Sequence, residues 1–293
     1  MQLKTNEKQK ELKTHGSLQF PILISQERLQ RYDSGSFLWH WHKEIELTFV
    51  QEGEMMYQIN GNSFHLHKGE ALFGNSSTLH EGHMIDQKDC IYTSITFDSK
   101  LLYGYEGSIL YRKYVAPIER DFSLSAIFFD SSKEWHKDII LLIKQLIELD
   151  KNHCITYELD FLILLQQFWK FLFLHHQPDT VINEYDKRNY ERIKIILSFI
   201  ESNYRNKLTL EEIAAQVHLC KEECSRIFKR YMKLSLFDFI LEYRIEKSLH
   251  YLVNFDCSIR DIAINVGFND SNYYSKVFSK VKGCSPSRYR NLI

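Results

Sequence analysis

Three histidines and one carboxylate are the residues whose types and spacing could do chemistry. His40-Trp41-His42 sets two imidazoles two positions apart, Glu46 follows four positions later, and His80 stands beyond the next turns. On a strand, positions i and i+2 share a face, so His40 and His42 point together and Glu46 can join them, while Trp39 and Trp41 face the other way. Three imidazoles and a carboxylate can hold Zn²⁺, Mn²⁺ or Fe²⁺ with coordination positions left open. The same residues can instead line a pocket and hydrogen-bond a small polar effector, or satisfy one another. An aromatic ring such as Tyr57 or a tryptophan suits the face of a carbohydrate, the favoured effector class. No distinctive acid–base pair accompanies these residues. The expectation is therefore no catalysis and no required cofactor, with a divalent metal (Zn, Mn or Fe) as the alternative occupant.

A second constellation lies in the last hundred residues, where one segment is written twice. Glu212-Ile-Ala-Ala-Gln-Val217 leads to Ile227-Phe-Lys-Arg230, and Asp261-Ile-Ala-Ile-Asn-Val266 leads to Val277-Phe-Ser-Lys280. Each copy reads as a short helix, a tight turn and a second helix with basic residues. Ala214 and Ala263 are the small residues that let two helices meet, and the Ile227–Phe228 and Val277–Phe278 pairs supply buried faces. The exposed face of the first recognition helix is then Glu222, Ser225, Arg226 and Lys229; that of the second is Ser271, Asn272, Ser275 and Lys276. Arg and Lys can donate to guanine, Asn can pair with adenine, and Ser can serve either. Arg230, Lys280, Lys282, Arg288 and Arg290 are expected on phosphates, which fix register without reading sequence.

The elements needed to position these groups are legible in outline. Residues 1–16 form a charged tail without the apolar stretch of a signal peptide. Residues 17–130 read as short strands, including a hairpin of Met55–Ile59 and Ser63–His67 across Asn60-Gly61-Asn62. From Glu134 the apolar period becomes helical, and a second helix runs from about Thr156 to His175. This hairpin has more apolar surface than it can bury alone, so it must pack on the barrel or on a second copy, and a homodimer is the expectation. Gln177–Tyr185 is the expected linker, closing a relay segment of 131–185. Residues 186–293 are mostly helical, with helix-turn-helix units at about 209–232 and 258–282 bridged by a long helix over 236–253. Thr209, Ser258 and Asp270 are the expected N-caps, and Gly283 and Pro286 mark a stop and a start.

Charge is divided between these parts. Residues 186–293 hold 19 Lys and Arg against 13 Asp and Glu, whereas residues 1–185 hold 18 against 25. A basic C-terminal third beside an acidic remainder suggests that only the former meets a polyanion. The six cysteines show no metal-finger or CxxC spacing and read as free thiols. The most apolar run, 161–174, is too short and too interrupted to span a bilayer, so the expected place is the cytoplasm, with no membrane partner.

Over residues 186–293 the sequence resembles the AraC/XylS family of bacterial transcription regulators. The resemblance rests on Ser225-Arg-Ile-Phe-Lys229, Arg244-Ile245, Asp261-Ile-Ala263, Gly267-Phe268, Ser275–Phe278 and Gly283-Cys-Ser-Pro-Ser-Arg-Tyr289. It implies two helix-turn-helix subdomains entering successive major grooves, with base-reading positions on the residues chosen above. Cys220 stands where the family usually has a Ser or Thr cap, and Glu222 sets a carboxylate toward DNA. Over about residues 20–115 the pattern HxH, three residues, Glu46, six residues, Gly53 is similar to the first cupin motif. Gly69 with His80 is similar to the second, although Asn75 replaces the preferred Pro and Met84 the preferred Asn. This implies a double-stranded β barrel with its pocket between the motifs. The expected fold is α+β and multidomain: a cupin-like barrel, a helical hairpin, and an all-α double helix-turn-helix domain. The expected function is a regulator, an activator acting on promoter DNA and on RNA polymerase, controlled by the barrel. A metal-binding cupin sensor or cupin enzyme fused to a DNA reader is the alternative.

Overall fold

A computed structural model describes residues 3, 10–17, 19–32, 35–105, 107–121, 123–175, 184–232 and 234–291. Among these residues nine strands form two antiparallel sheets: β1 (Ile22–Arg28), β2 (Ser36–His40), β3 (Ile45–Glu52), β4 (Glu54–Ile59), β5 (Asn62–His67), β6 (Ala71–Gly74), β7 (His80–Met84), β8 (Ile91–Phe97) and β9 (Ala126–Phe129). One sheet has the order β1-β8-β3-β6-β9 and the other β2-β7-β4-β5. They face each other across a core of Phe37, Val50, Met55, Tyr57, Leu66 and Tyr92. This is the double-stranded barrel expected from the strand spacing. Asn60 and Gly61, both at positive φ, form the β4–β5 turn, with Ile59 paired to Asn62. The loop is therefore two residues long, one fewer than the sequence reading assigned.

Alternation on the larger sheet assigns two faces. On β3, Leu47 and Phe49 point away from the barrel, while Glu46 and Thr48 point in. The outward residues join Ala71, Phe73, Ile95, Phe97 and Phe129 and are covered by α3 (Glu134–Lys151) and α4 (Tyr157–His175). Ile139, Ile143, Phe161 and Phe168 are completely buried there. The inner face of the helical hairpin is thus satisfied within the chain. Its outer face still exposes Leu141, Leu159 and Ile163. Short helices α1 (Lys100–Tyr103) and α2 (Ala116–Glu119) close the barrel's flank. Asn75, in the position where the cupin pattern prefers Pro, is buried and donates to the carbonyls of Ile118 (2.8 Å) and Leu124 (3.0 Å), tying the loop before β7 to the chain leading into β9.

The expected linker lies mostly outside the described residues; helix resumes at Glu184. The C-terminal domain comprises α5 (Glu184–Asn203), α6 (Leu210–Ala215), α7 (Lys221–Met232), α8 (Leu236–Asn254), α9 (Ile259–Asn265), α10 (Ser271–Lys282) and α11 (Pro286–Arg290). The local signals act as read. Thr209 and Glu212 make a reciprocal capping box, Ser258 and Asp270 accept from backbone N–H groups three residues on, and Gly283 ends α10 in the left-handed conformation. The loop between α5 and α6 is clamped from two sides. Arg244 of α8 donates to the carbonyls of Tyr204 (2.7 Å) and Asn206 (2.8 Å), and Gly267 (φ +91°) approaches the same loop so closely that an added Cβ would lie 2.6 Å from the Tyr204 oxygen.

Gly267→Ala therefore meets both a disfavoured φ and rigid backbone. Its expected cost is roughly 1–3 kcal/mol, read as a lower urea midpoint at unchanged slope.

Candidate functional site

The barrel brings His40, His42, Glu46, Tyr57 and His80 together. His40 ends β2 and pairs with His80, which begins β7. One ring nitrogen from each of His40, His42 and His80 lies within 4.8 Å of the other two. All three histidines are at least 96 % buried, so their protonation is decided by protein groups rather than water. Their Nδ1 atoms each meet a backbone carbonyl: Leu38 O at 2.9 Å, Glu44 O at 3.1 Å and Thr78 O at 3.0 Å. A carbonyl only accepts, so each Nδ1 carries a proton; on His40 and His80, which burial keeps neutral, Nε2 then presents a lone pair, whereas His42 Nε2 meets Glu46. Glu46 Oε2 lies 3.1 Å from His42 Nε2 and 3.9 Å from His80 Nε2, and the latter atom is buried with no hydrogen-bond partner.

The centre thus gathers the Nε2 atoms of His40 and His80 and the Glu46 carboxylate as acceptors around His42. At 3.1 Å, His42 Nε2 and Glu46 face each other only with a proton or a cation between them. Burial, reinforced by His80 and His42 and opposed by Glu11, lowers the His40 pKa to about 3; burial brings that of His80 to about 4, although Glu46 opposes the shift. Burial would raise Glu46, but the His42 hydrogen bond and the surrounding imidazoles hold it far below the usual carboxylate range. The Glu46 carboxylate also accepts from Thr48 (2.9 Å) and Tyr57 (3.1 Å). Tyr57 is 1 % exposed and stacks on His80, so it orients Glu46 and fills the core instead of offering a free platform to a sugar. The donor set, with each imidazole fixed through its far nitrogen, fits a divalent transition metal.

Sequence reasoning missed three members of this neighbourhood. His15, in the nominal tail, hydrogen-bonds Glu11 (2.9 Å) and Glu44 (3.1 Å), and its ring centre lies 4.8 Å from that of His42. Burial alone would lower the His15 imidazolium, but the two carboxylates more than offset it and hold it at about 9. Residues 10 and 11 pair with Trp41, so the tail lies over the mouth of the barrel. The space left beneath it, lined by Glu11, His15, Phe37, His40, Glu46 and Tyr92 among others, is about 30 Å³, room for about one water-sized probe. No regular spacing links residues 11 and 15 to residue 44; only the clustering of ionisable residues in the tail hinted at them.

The opposite face of the same strand carries the contact with the helical domain. Leu79 belongs to the core built by α5 through α11, and Trp39 and Trp41 pack against it. Trp39 meets Phe239 at 6.2 Å between ring centres, and Lys194 of α5 sits 4.3 Å over the Trp41 ring. Tyr190 donates to the Ser77 carbonyl, with Asn60 Oδ1 3.2 Å away. Gly61 presses on the end of α7, where a Cβ would lie 2.3 Å from the Met232 carbonyl.

On α7, Glu222, Ser225, Arg226 and Lys229 line one concave face with Leu210, Glu211 and Lys221. Arg226 is exposed but already paired: it donates to Glu223 at 2.7 and 2.9 Å and to the Tyr185 hydroxyl at 3.1 Å. On α10, Ser271, Asn272, Ser275 and Lys276 lie along one side, where Ser275 donates to the Ser271 carbonyl. Lys276, Lys280, Lys282 and Arg288 face a groove of about 1350 Å³ whose other walls include Trp39, Glu81, His83 and Asp86 of the barrel and Asp238 and Glu242 of α8. Arg230 is exposed at the end of α7, over Tyr231. Arg290, expected on phosphate, is turned inward and donates to the Cys257 carbonyl at 2.6 Å, closing α11 onto the start of the second unit.

Comparison with known proteins agrees with both halves of this geometry. The AraC-like ligand binding domain matches residues 28–138, and a helix-turn-helix domain matches residues 213–292. The uncharacterized HTH-type transcriptional regulator YdeC of Bacillus subtilis (strain 168) is 29 % identical over 97 % of this chain and 96 % of its own. The melibiose operon regulatory protein of Escherichia coli (strain K12) is 24 % identical over 86 % of this chain and 83 % of its own. Among solved structures, ToxT from Vibrio cholerae aligns over 93 % of this chain and 98 % of its own at 11 % identity, with a TM-score of 0.46. A buried polar centre in an AraC-type ligand-binding barrel, joined to two helix-turn-helix units, makes this chain a member of the AraC family of transcriptional regulators.

Proposed function

We propose that the chain regulates transcription by coupling occupancy of the barrel to exposure of the second DNA reader. The observation that supports this is the groove in which Lys276, Lys280, Lys282 and Arg288 look toward Glu81 and Asp86. A space of that size does not admit a duplex, so the arrangement described here suits the DNA-free protein. The first reader faces solvent, whereas Lys276, Lys280, Lys282 and Arg288 of the second line a groove whose opposite wall belongs to the barrel. An effector favours DNA binding to the extent that it binds the uncovered arrangement more tightly. Loss of the covered state on effector binding corresponds to an activator.

The size of the barrel cavity bears on what the effector is. With residues 10–17 in place, the centre has room for an ion but not for a sugar. A divalent cation held by His40, His42, His80 and Glu46 would satisfy the converging lone pairs with positive charge. A carbohydrate is the second reading, favoured by the melibiose operon regulatory protein among the relatives. It requires the tail to leave the barrel mouth and break the His15 contacts with Glu11 and Glu44. The exposed Leu141, Leu159 and Ile163 on the helical hairpin suit a homodimer, with promoter DNA and RNA polymerase as the remaining partners.

Genomic fragments retained by the purified protein test the reading directly. Discrete sites upstream of a few operons are expected, and retention without sequence preference overturns it. Three variants test its parts in quantitative binding to a selected site. Arg226→Ala is expected to cost roughly 1–3 kcal/mol and to relax preference at one base pair; equal loss on random DNA refutes a base-reading role. Lys280→Ala is expected to weaken all sequences alike and to reduce the salt slope by about one unit. Trp41→Ala loosens the barrel's hold on the helical domain, so DNA affinity without effector is expected to rise about fivefold or more; an unchanged or lower affinity contradicts the covering role.

A further inference from the structure

A second cluster of imidazoles and carboxylates lies on the solvent side of the smaller sheet, apart from the buried centre. Among the described residues strand β5 is an edge strand, paired with β4 alone, and alternation along it buries Leu66 while His65 and His67 face water. Their rings lie 4.1 Å apart between centres. Glu54 is the cross-strand partner of His67, and its Oε2 lies 2.8 Å from His65 Nε2 and 3.7 Å from His67 Nε2. One donor atom from each of Glu54, His65 and His67 lies within 4.8 Å of the others.

The fourth member fixes the geometry. Glu70 Oε2 accepts from the His67 backbone N–H at 2.7 Å and lies 3.1 Å from His67 Nδ1. The Glu70 backbone N–H donates in turn to the His67 carbonyl at 3.0 Å. With its Nδ1 proton on Glu70, His67 presents the Nε2 lone pair toward Glu54 and His65. A carboxylate behind a histidine whose far nitrogen faces two further ligands is the arrangement that orients imidazoles at metal centres. Exposed ion pairs by themselves contribute little to stability, so folding energetics give no reason for two imidazoles to stand ring to ring between two carboxylates.

We propose that Glu54, His65 and His67 form a solvent-facing site for a divalent transition-metal ion, with Glu70 as its positioning residue. Two imidazoles and one carboxylate select the Zn²⁺, Ni²⁺ and Cu²⁺ class over Mg²⁺ or Ca²⁺, which take all-oxygen sites. Three protein ligands leave at least one position open to solvent. The site is independent of the occupant of the buried centre and of the regulatory reading, because its ligands face the other side of the sheet.

The test uses the full-length protein stripped with chelator and titrated with ZnCl₂ by calorimetry. The His65→Gln/His67→Gln double variant, checked for an unchanged circular dichroism spectrum and melting temperature, should bind one zinc equivalent fewer than the wild type. Glu70→Gln should keep the stoichiometry and weaken the site about tenfold. Acylation of histidines by diethyl pyrocarbonate, mapped residue by residue by mass spectrometry, separates this site from the barrel centre, since His40, His42 and His80 are buried. Zn²⁺ should protect His65 and His67, and Mg²⁺ should not. Equal zinc stoichiometry in the double variant, or labelling of His65 and His67 that zinc leaves unchanged, overturns the proposal.

Discussion

Alternation of side chains along Trp39–His42 is the constraint on which the two halves of the molecule depend. Successive residues on a strand must face opposite sides. His40 and His42 therefore enter the barrel because Trp39 and Trp41 leave it, and the same holds for His80 and Leu79. The barrel centre and the docking surface for the helical domain are two faces of one layer, separated by the thickness of a strand. A rotation of this layer that improves contacts on one face disturbs those on the other, since both faces are close-packed. Energetic coupling between such sites commonly amounts to about 1–3 kcal/mol, a range in which a few displaced contacts around Trp41 and Tyr190 suffice.

The barrel centre adds an electrostatic constraint. Burial penalises charge, yet Glu46 is kept ionised by hydrogen bonds from Thr48 and Tyr57 and by the nearby imidazoles, while burial holds His40 and His80 neutral. A buried carboxylate facing imidazole lone pairs is stable only with compensating positive charge nearby. His15, held protonated by Glu11 and Glu44, forms a separate ion-paired cluster beside His42. The tail thus closes the barrel through an ion-paired contact with Glu44. Displacing it would break the His15–Glu44 contact, carry the Glu11–His15 pair away and admit water.

Features fixed by neighbours a few residues away were legible in the sequence. The caps at Thr209, Ser258 and Asp270 and the stop at Gly283 are local backbone chemistry, and each forms where it was read; the turn at Asn60-Gly61 forms there too, one residue shorter. Strand alternation placed His40 and His42 on one side and the tryptophans on the other. Features that depend on distant partners were not legible. Arg290 has the composition of a phosphate contact but meets a carbonyl 33 residues earlier. Tyr57 could have been a platform or a core residue, and only the position of Glu46 and His80 decides it. Asn75 departs from the cupin pattern because its amide ties together segments far apart in sequence. The tail residues Glu11 and His15 show no periodicity that would connect them to Glu44.

The two readers are unequal in charge, and the inequality bears on control. Helix α7 carries four basic residues but also Glu222 and Glu223, and Arg226 is held by the latter. Helix α10 carries three lysines and no acidic residue, with Arg288 beside it. Affinity for duplex DNA follows the number of phosphates neutralised and the counterions released. The second unit therefore commands the larger share of the electrostatic term, and it is the unit whose basic residues face Glu81 and Asp86. A cover over the first reader would cost the protein little affinity, because that reader is already partly self-neutralised. A cover over the second, as proposed, would remove much of the attraction to phosphate while leaving sequence-reading groups of the first exposed, and would concentrate control where the charge is.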